Sequence, residues 1–142
     1  MMKLPSRRSA YGLILLLTIP LGLAVRMAPL RLSAFVYKYG GSALWAMALY
    51  WFVAVWMPQR SITAVGAAAA AGAAILEFSR LWHTVATDAF RNTLAGRILL
   101  GRYFSLKNIA AYWLAIGLAA LLDEWIIRWG TPGPPATQRP PE

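Results

Sequence analysis

Four apolar runs divide the chain. The first, Ala10 to Val25, reads AYGLILLLTIPLGLAV, with Pro20 placed to kink it. The second, Ser42 to Met57, reads SALWAMALYWFVAVWM and is rich in aromatic residues. The third, Ile62 to Leu76, carries no charge, and the fourth, Ile109 to Leu122, reads IAAYWLAIGLAALL. Each strict run holds about 14 to 16 residues, fewer than the ~20 that span a hydrocarbon core. Flanking residues make up the difference. Tyr11, Trp51, Trp56, Trp82, Tyr103, Phe104, Trp125 and Trp129 lie near run ends, where amphipathic aromatics favour the membrane interface. Arg26, Lys38 and Arg128 can snorkel. The expected helices therefore lie near residues 10–25, 42–57, 62–82 and 106–122.

The segments between the runs are uneven in kind. RMAPLRLSAFVYKYGG, residues 26–41, suits a short interfacial helix closed by Gly40-Gly41. The stretch 79–108 is too long for a hairpin and keeps apolar residues throughout, between its charges. It predicts an amphipathic or re-entrant segment over 83–105, with breaks at Gly96 and Gly101. Residues 1–129 thus form one integral membrane domain. The tail 130–142, GTPGPPATQRPPE, is expected to be disordered and is given no role. The basic start followed by an apolar run also resembles a secretory signal, with Gly22-Leu23-Ala24 as a cleavage site; a retained first helix is the expectation.

Small residues predict close helix packing. The third run carries Gly66, Ala67, Ala70, Ala71, Gly72 and Ala74, and the fourth repeats Ala111, Ala115 and Ala119 on one face. The aromatic second run then faces lipid or fills the space that the small helices leave.

Composition supports the bilayer. Of 142 residues, 59% are hydrophobic and 13% charged, and the mean hydropathy is +0.53, unlike an ordinary soluble domain. The absence of cysteine excludes disulfides and thiolate chemistry. The net charge of +9 comes from 14 Lys and Arg spread between apolar runs. That spread suits topology-setting loops and anionic headgroups, and nucleic acid is not an expected partner. The loop charges leave the orientation open.

The chemistry worth weighing clusters after the third run, in EFSRLWHTVATDAFRNTLAG. Ile62 to Leu76 covers only about 22 Å, so the helix must reach about Leu81 or Trp82 to cross ~30 Å. Glu77 and Arg80 then lie at or inside the headgroup boundary, three residues apart and able to pair. They are either a snorkelling helix end or a buried acid paired within the bundle. Asp88 and Arg91 share the same spacing, with Asn92 beside them, and read equally as a surface ion pair or a paired site against lipid. His83, the only histidine, has no second strong ligand beside it. Neither a metal nor a cofactor is therefore expected. Arg97 and Arg102 are either snorkelling loop charges or headgroup contacts. No standard catalytic motif is present, so catalytic residues are left unassigned.

Several motifs together resemble a known family. Y-G-G-S-A-L-W opens the second helix and E-x-x-R-L closes the third. D-x-x-R-x-T, L-L-G-R-Y-F-S and N-x-x-x-Y follow, the last entering the fourth helix. Over about residues 30–122 this order resembles a bacterial inner-membrane domain-of-unknown-function family, family 2809, itself similar to the VanZ-like envelope proteins. The resemblance implies a multi-pass protein of the bacterial inner membrane. It singles out Glu77, the Asp88 and Arg91 pair, and the turn Gly101 to Phe104. It adds Ser42, Asn108 and Tyr112 as polar positions at helix starts. The chain departs from the pattern at three positions. The family usually has an acid where this chain has Ser42, Gln where it has Arg80, and Asp where it has Asn108.

The expectation is an all-α polytopic bundle of about four transmembrane helices. Its leading function is non-enzymatic: the polar cluster Glu77, Arg80, Asp88, Arg91 and Asn92 organises the bundle or contacts a lipid headgroup. The alternatives are a membrane enzyme acting on a phosphate-bearing lipid and a small lipid or solute transporter. Membrane lipids, anionic ones first, are the expected partners, and homo-oligomerisation is left open.

Overall fold

The computed structural model describes residues 6–27, 33, 36–101 and 103–130. Arg102, the side chains of Lys38 and Trp129, residues 28–32, 34 and 35 (Arg31 among them) and the tail after Gly130 lie outside the described residues. The protein is all-α. Helix α1 spans Arg7–Met27, and a π-helical turn, Val36–Gly40, leads directly into α2, Gly41–Trp56. Helix α3 is Ile62–Ser79, α4 Val85–Asn92, α5 Leu94–Leu99 and α6 Leu106–Gly130.

Helices α1, α3 and α6 are long and apolar enough to cross a membrane. Helix α2 has 16 residues; the five-residue π turn ahead of it brings the continuous helical path to membrane-spanning length. Helix α1 continues through Pro20, as transmembrane helices can when neighbours satisfy the freed carbonyl. Helices α1, α2, α3 and α6 alternate in direction: Tyr11, Tyr50 and Asp123 meet at one end and Glu77 and Asn108 at the other. Helix α2 sits at the centre, packed on α1, α3 and α6, and α3 also packs on α6.

The core explains why α2 is aromatic and its neighbours small. Tyr50 and Trp51 are buried with Ala69 and Ala73 of α3 and Ala115 and Ala119 of α6. The alanines let helices approach, and the two rings, edge to face at 5.1 Å, fill the volume between. The buried face of α3 is Val65-Ala69-Ala73-Glu77 at four-residue spacing. Ala67 and Ala71, expected in the packing surface, are instead exposed. Phe52 and Trp56 point outward with Leu13, Leu16, Leu17 and Leu114, an apolar exterior suited to lipid. Trp56, Trp82, Tyr103 and Trp125 are exposed near the ends of the spans, as interface aromatics are. Tyr11 and Trp51, expected in the same belt, are buried and touch each other.

Two boundaries differ from the sequence expectation. Helix α3 ends at Ser79 rather than near Trp82: Arg80, Leu81 and Trp82 donate three residues back in tighter turns, and Arg91 takes up the Ser79 carbonyl. Helix α6 continues eight residues past Leu122 to Gly130, carrying an acid into the bundle.

The amphipathic segment resolves into α4 and α5. Thr84 and Thr87 form a reciprocal capping box that starts α4. Arg91 of α4 is buried, while Val85, Ala86, Ala89 and Phe90 face outward. A helix with its apolar side out is stable only where that side meets lipid. Thr93 then ends α4 and caps α5. A side chain at Gly96 would meet the Phe90 carbonyl oxygen at 2.0 Å, so glycine permits this tight turn.

Candidate functional site

At one end of the bundle, where α1 and α3 finish and α2 and α6 begin, Glu77 is fully buried. Its Oε1 accepts hydrogen bonds from the Ser105 backbone N–H at 2.8 Å and from Asn108 Nδ2 at 3.2 Å. The carboxylate thus closes the N-terminal end of α6 from another helix, where the helix dipole favours negative charge. Its Oε2 lies 2.6 Å from Arg80 Nη1, an ionic contact rather than an aligned hydrogen bond.

Arg80 distributes its donors over the chain opposite. Nε donates to the Leu100 carbonyl, Nη1 to the Tyr103 carbonyl at 3.2 Å, and Nη2 to the Tyr112 hydroxyl at 3.2 Å. One guanidinium therefore joins the end of α3, the 100–103 turn and α6. Gly101 makes this geometry feasible. Its φ is +68°, and a Cβ there would come within 2.9 Å of the guanidinium carbon.

The second pair stands apart from the first. Arg91 is buried, donating to the Ser79 carbonyl at 2.6 Å and the Trp82 carbonyl at 2.9 Å. It acts as a cationic cap on the C-terminal end of α3. Asp88 Oδ1 lies 3.3 Å from Arg91 and 3.0 Å from His83 Nδ1, on the exposed side. Asn92 is exposed, and its backbone carbonyl accepts from Arg97 Nη2 at 3.0 Å. The five clustered residues thus form two groups, a buried one around Glu77 and an outer one around Arg91.

Beside Arg80 opens a polar cavity of about 460 Å³. Its polar wall includes Arg26, Ser42, Arg80, Ser105, Asn108 and Tyr112. Asp88, Arg91 and Arg97 lie away from it. A second, apolar groove of about 270 Å³ runs along α1 and α2 beneath α5. Arg26, Trp45, Ile98 and Leu99 line both spaces, so the polar cavity and the apolar groove share a wall.

The family model for proteins of unknown function, DUF2809, matches residues 31–117. The chain belongs to the DUF2809 family. No solved structure matches it. The DUF2809 match spans α2 to the first half of α6, including Glu77, Arg80, Asn108 and Tyr112. Ser42, Arg80 and Asn108, the three departures from the resembled pattern, all line the polar cavity.

This DUF2809 chain buries a second acid that sequence reasoning missed. Asp123 of α6 lies toward the opposite end, about 22 Å along the helix from Asn108, and is 2% exposed. The Tyr11 hydroxyl donates to its Oδ1 at 2.8 Å and the Tyr50 hydroxyl to its Oδ2 at 2.7 Å. Three helices meet at one carboxylate. A signal existed in the sequence: Asp123 is followed by the apolar Trp125-Ile126-Ile127, so the helix continues past it. Tyr11 and Asp123 fall outside the span matched by the family model.

Proposed function

We propose that this protein is a non-enzymatic membrane component that binds the polar head of a membrane lipid in the cavity beside Arg80. The observation that carries the reading is that cavity, about 460 Å³ with polar walls, at the end of an apolar bundle. Its size falls within the range of small-molecule sites. Glu77 supports binding rather than proton transfer, because its Oε1 accepts from two protein donors and its Oε2 lies in ionic contact with Arg80, away from the cavity lining. Its role is to hold Arg80 and the start of α6 in place. The proposal includes the bacterial inner membrane as the location, on the resemblance to VanZ-like proteins.

Filling the cavity tests the reading. Ser42→Phe places a ring in the space, and Ser42→Ala controls for loss of the hydroxyl. Lipid retained per chain after purification in mild detergent is read by native mass spectrometry. Ser42→Phe is expected to retain roughly tenfold less lipid, a change of about 1.4 kcal/mol, with helicity unchanged, whereas Ser42→Ala, which gives up one hydroxyl contact, should lose only about two- to threefold. Equal retention by folded Ser42→Phe and wild-type protein would refute the reading.

A further inference from the structure

The polar cavity and the apolar groove have contrasting linings and share the cation Arg26. The groove extends along α1 from Arg26 to Leu15, which is about 16 Å of helix. Half of a ~30 Å hydrocarbon core is about 15 Å. The groove therefore begins at the level of the headgroups and ends near the midplane, the depth of one chain in one leaflet. Its walls are apolar apart from Thr18 and Arg26, and the Thr18 hydroxyl is turned to the Ile14 carbonyl at 2.7 Å. An acyl chain fits this lining.

The head is defined by what surrounds the junction. Arg26 lines both spaces where they meet, and Arg80 lines the cavity. Among the described lining residues there is no carboxylate; Glu77 lies behind Arg80, fully buried. A phosphodiester at the junction meets a guanidinium suited to its oxygens. Deeper in, an ammonium group would face Arg80, whereas a hydroxylated head would meet Ser42, Asn108 and Tyr112. The site thus disfavours a zwitterionic lipid by charge and accommodates an anionic one.

Resting on the lipid-binding reading above, we infer that the occupant is a single anionic phospholipid with an uncharged, hydroxyl-bearing head. Its phosphate lies at Arg26, its head in the Ser42–Asn108 cavity, and one acyl chain between α1 and α2 under Ile98 and Leu99. Phosphatidylglycerol has this chemistry. The protein takes it from the leaflet on the side of the polar cavity.

The test titrates delipidated, full-length protein in detergent with dioleoyl phosphatidylglycerol, dioleoyl phosphatidylcholine and chain-free glycerophosphoglycerol, reading bound species by native mass spectrometry. Wild type is expected to bind one phosphatidylglycerol about tenfold more tightly than phosphatidylcholine, the scale of one charge-assisted contact. The chain-free head should bind at least about 100-fold more weakly. Arg26→Gln, an exposed change, should bring the two lipids to near parity. Ala48→Phe, which fills the groove, should weaken both lipids, and Gly22→Leu provides a second groove filler should that variant fold poorly. If both lipids bind wild type equally, or Arg26→Gln keeps the preference, the anionic assignment fails while the cavity reading stands. If folded groove fillers bind as wild type does, the chain placement fails. If Ser42→Phe also binds every lipid normally, the cavity reading itself fails.

Discussion

Among the described residues two carboxylates are buried, and their surroundings differ in one decisive respect. Asp123 is closed in by protein, with one tyrosine hydroxyl on each oxygen and three helices joined through it. Glu77 is as deeply buried, but its partner Arg80 forms part of a cavity wall. Both satisfy the requirement that an acid within an apolar bundle be paired. The first arrangement uses the acid as a tie between helices. The second uses it to hold a cation and a helix start beside an open space. Burial of a charge alone therefore does not mark a site; what adjoins the pair does.

The largest expected effect breaks the closed cluster. Asp123→Ala leaves the Tyr11 and Tyr50 hydroxyls without their acceptor and opens a void. Interhelical hydrogen bonds within membranes average about 0.6 kcal/mol, and buried groups left unsatisfied cost about 1–3 kcal/mol each. A loss of about 2–4 kcal/mol is expected from unfolding in mixed micelles, with lipid binding by the remaining folded protein unchanged. A loss of lipid selectivity in that folded fraction would erase the distinction between the two ends.

A smaller effect is expected at Gly101. Alanine there must adopt a left-handed conformation and also displace Arg80. The cost is expected to be about 1–3 kcal/mol. Because Arg80 lines the cavity, lipid retention should fall in the folded protein as well. Gly101→Ala that loses stability but keeps wild-type retention would show that the 100–103 turn supports the fold without shaping the cavity.

The contrast between the two ends also explains what the sequence made legible. The four spans are readable because lipid demands long apolar helices, and their runs stand out against charged loops. The length of the third run also places Glu77 near the boundary, where it pairs with Arg80. Asp123 was hidden because a strict apolar run stops at the first charge, at Leu122, although the helix does not. Tyr11 and Tyr50 look like interface or packing aromatics until α6 brings an acid between them. Arg91 sits in an ion-pair motif with Asp88, yet its shortest bonds go to the carbonyls of Ser79, at the end of α3, and Trp82, just beyond it. That role depends on the path of the chain after Ser79, which no local pattern encodes. The shared wall of cavity and groove likewise joins Arg26 to Ile98, residues far apart in sequence.

The central claim is that the Glu77 end recognises lipid and the Asp123 end holds helices together. Its most direct test compares Asn108→Ala with Tyr50→Phe, each removing one hydrogen-bonding group beside a buried acid. Both should cost about 1–3 kcal/mol in stability, because each leaves a buried carboxylate short of one donor. Phosphatidylglycerol binding, measured by native mass spectrometry on the folded proteins, should weaken several-fold, by about 1 kcal/mol, for Asn108→Ala and stay at the wild-type value for Tyr50→Phe. Equal binding by the two variants, or the reverse order, would contradict the account.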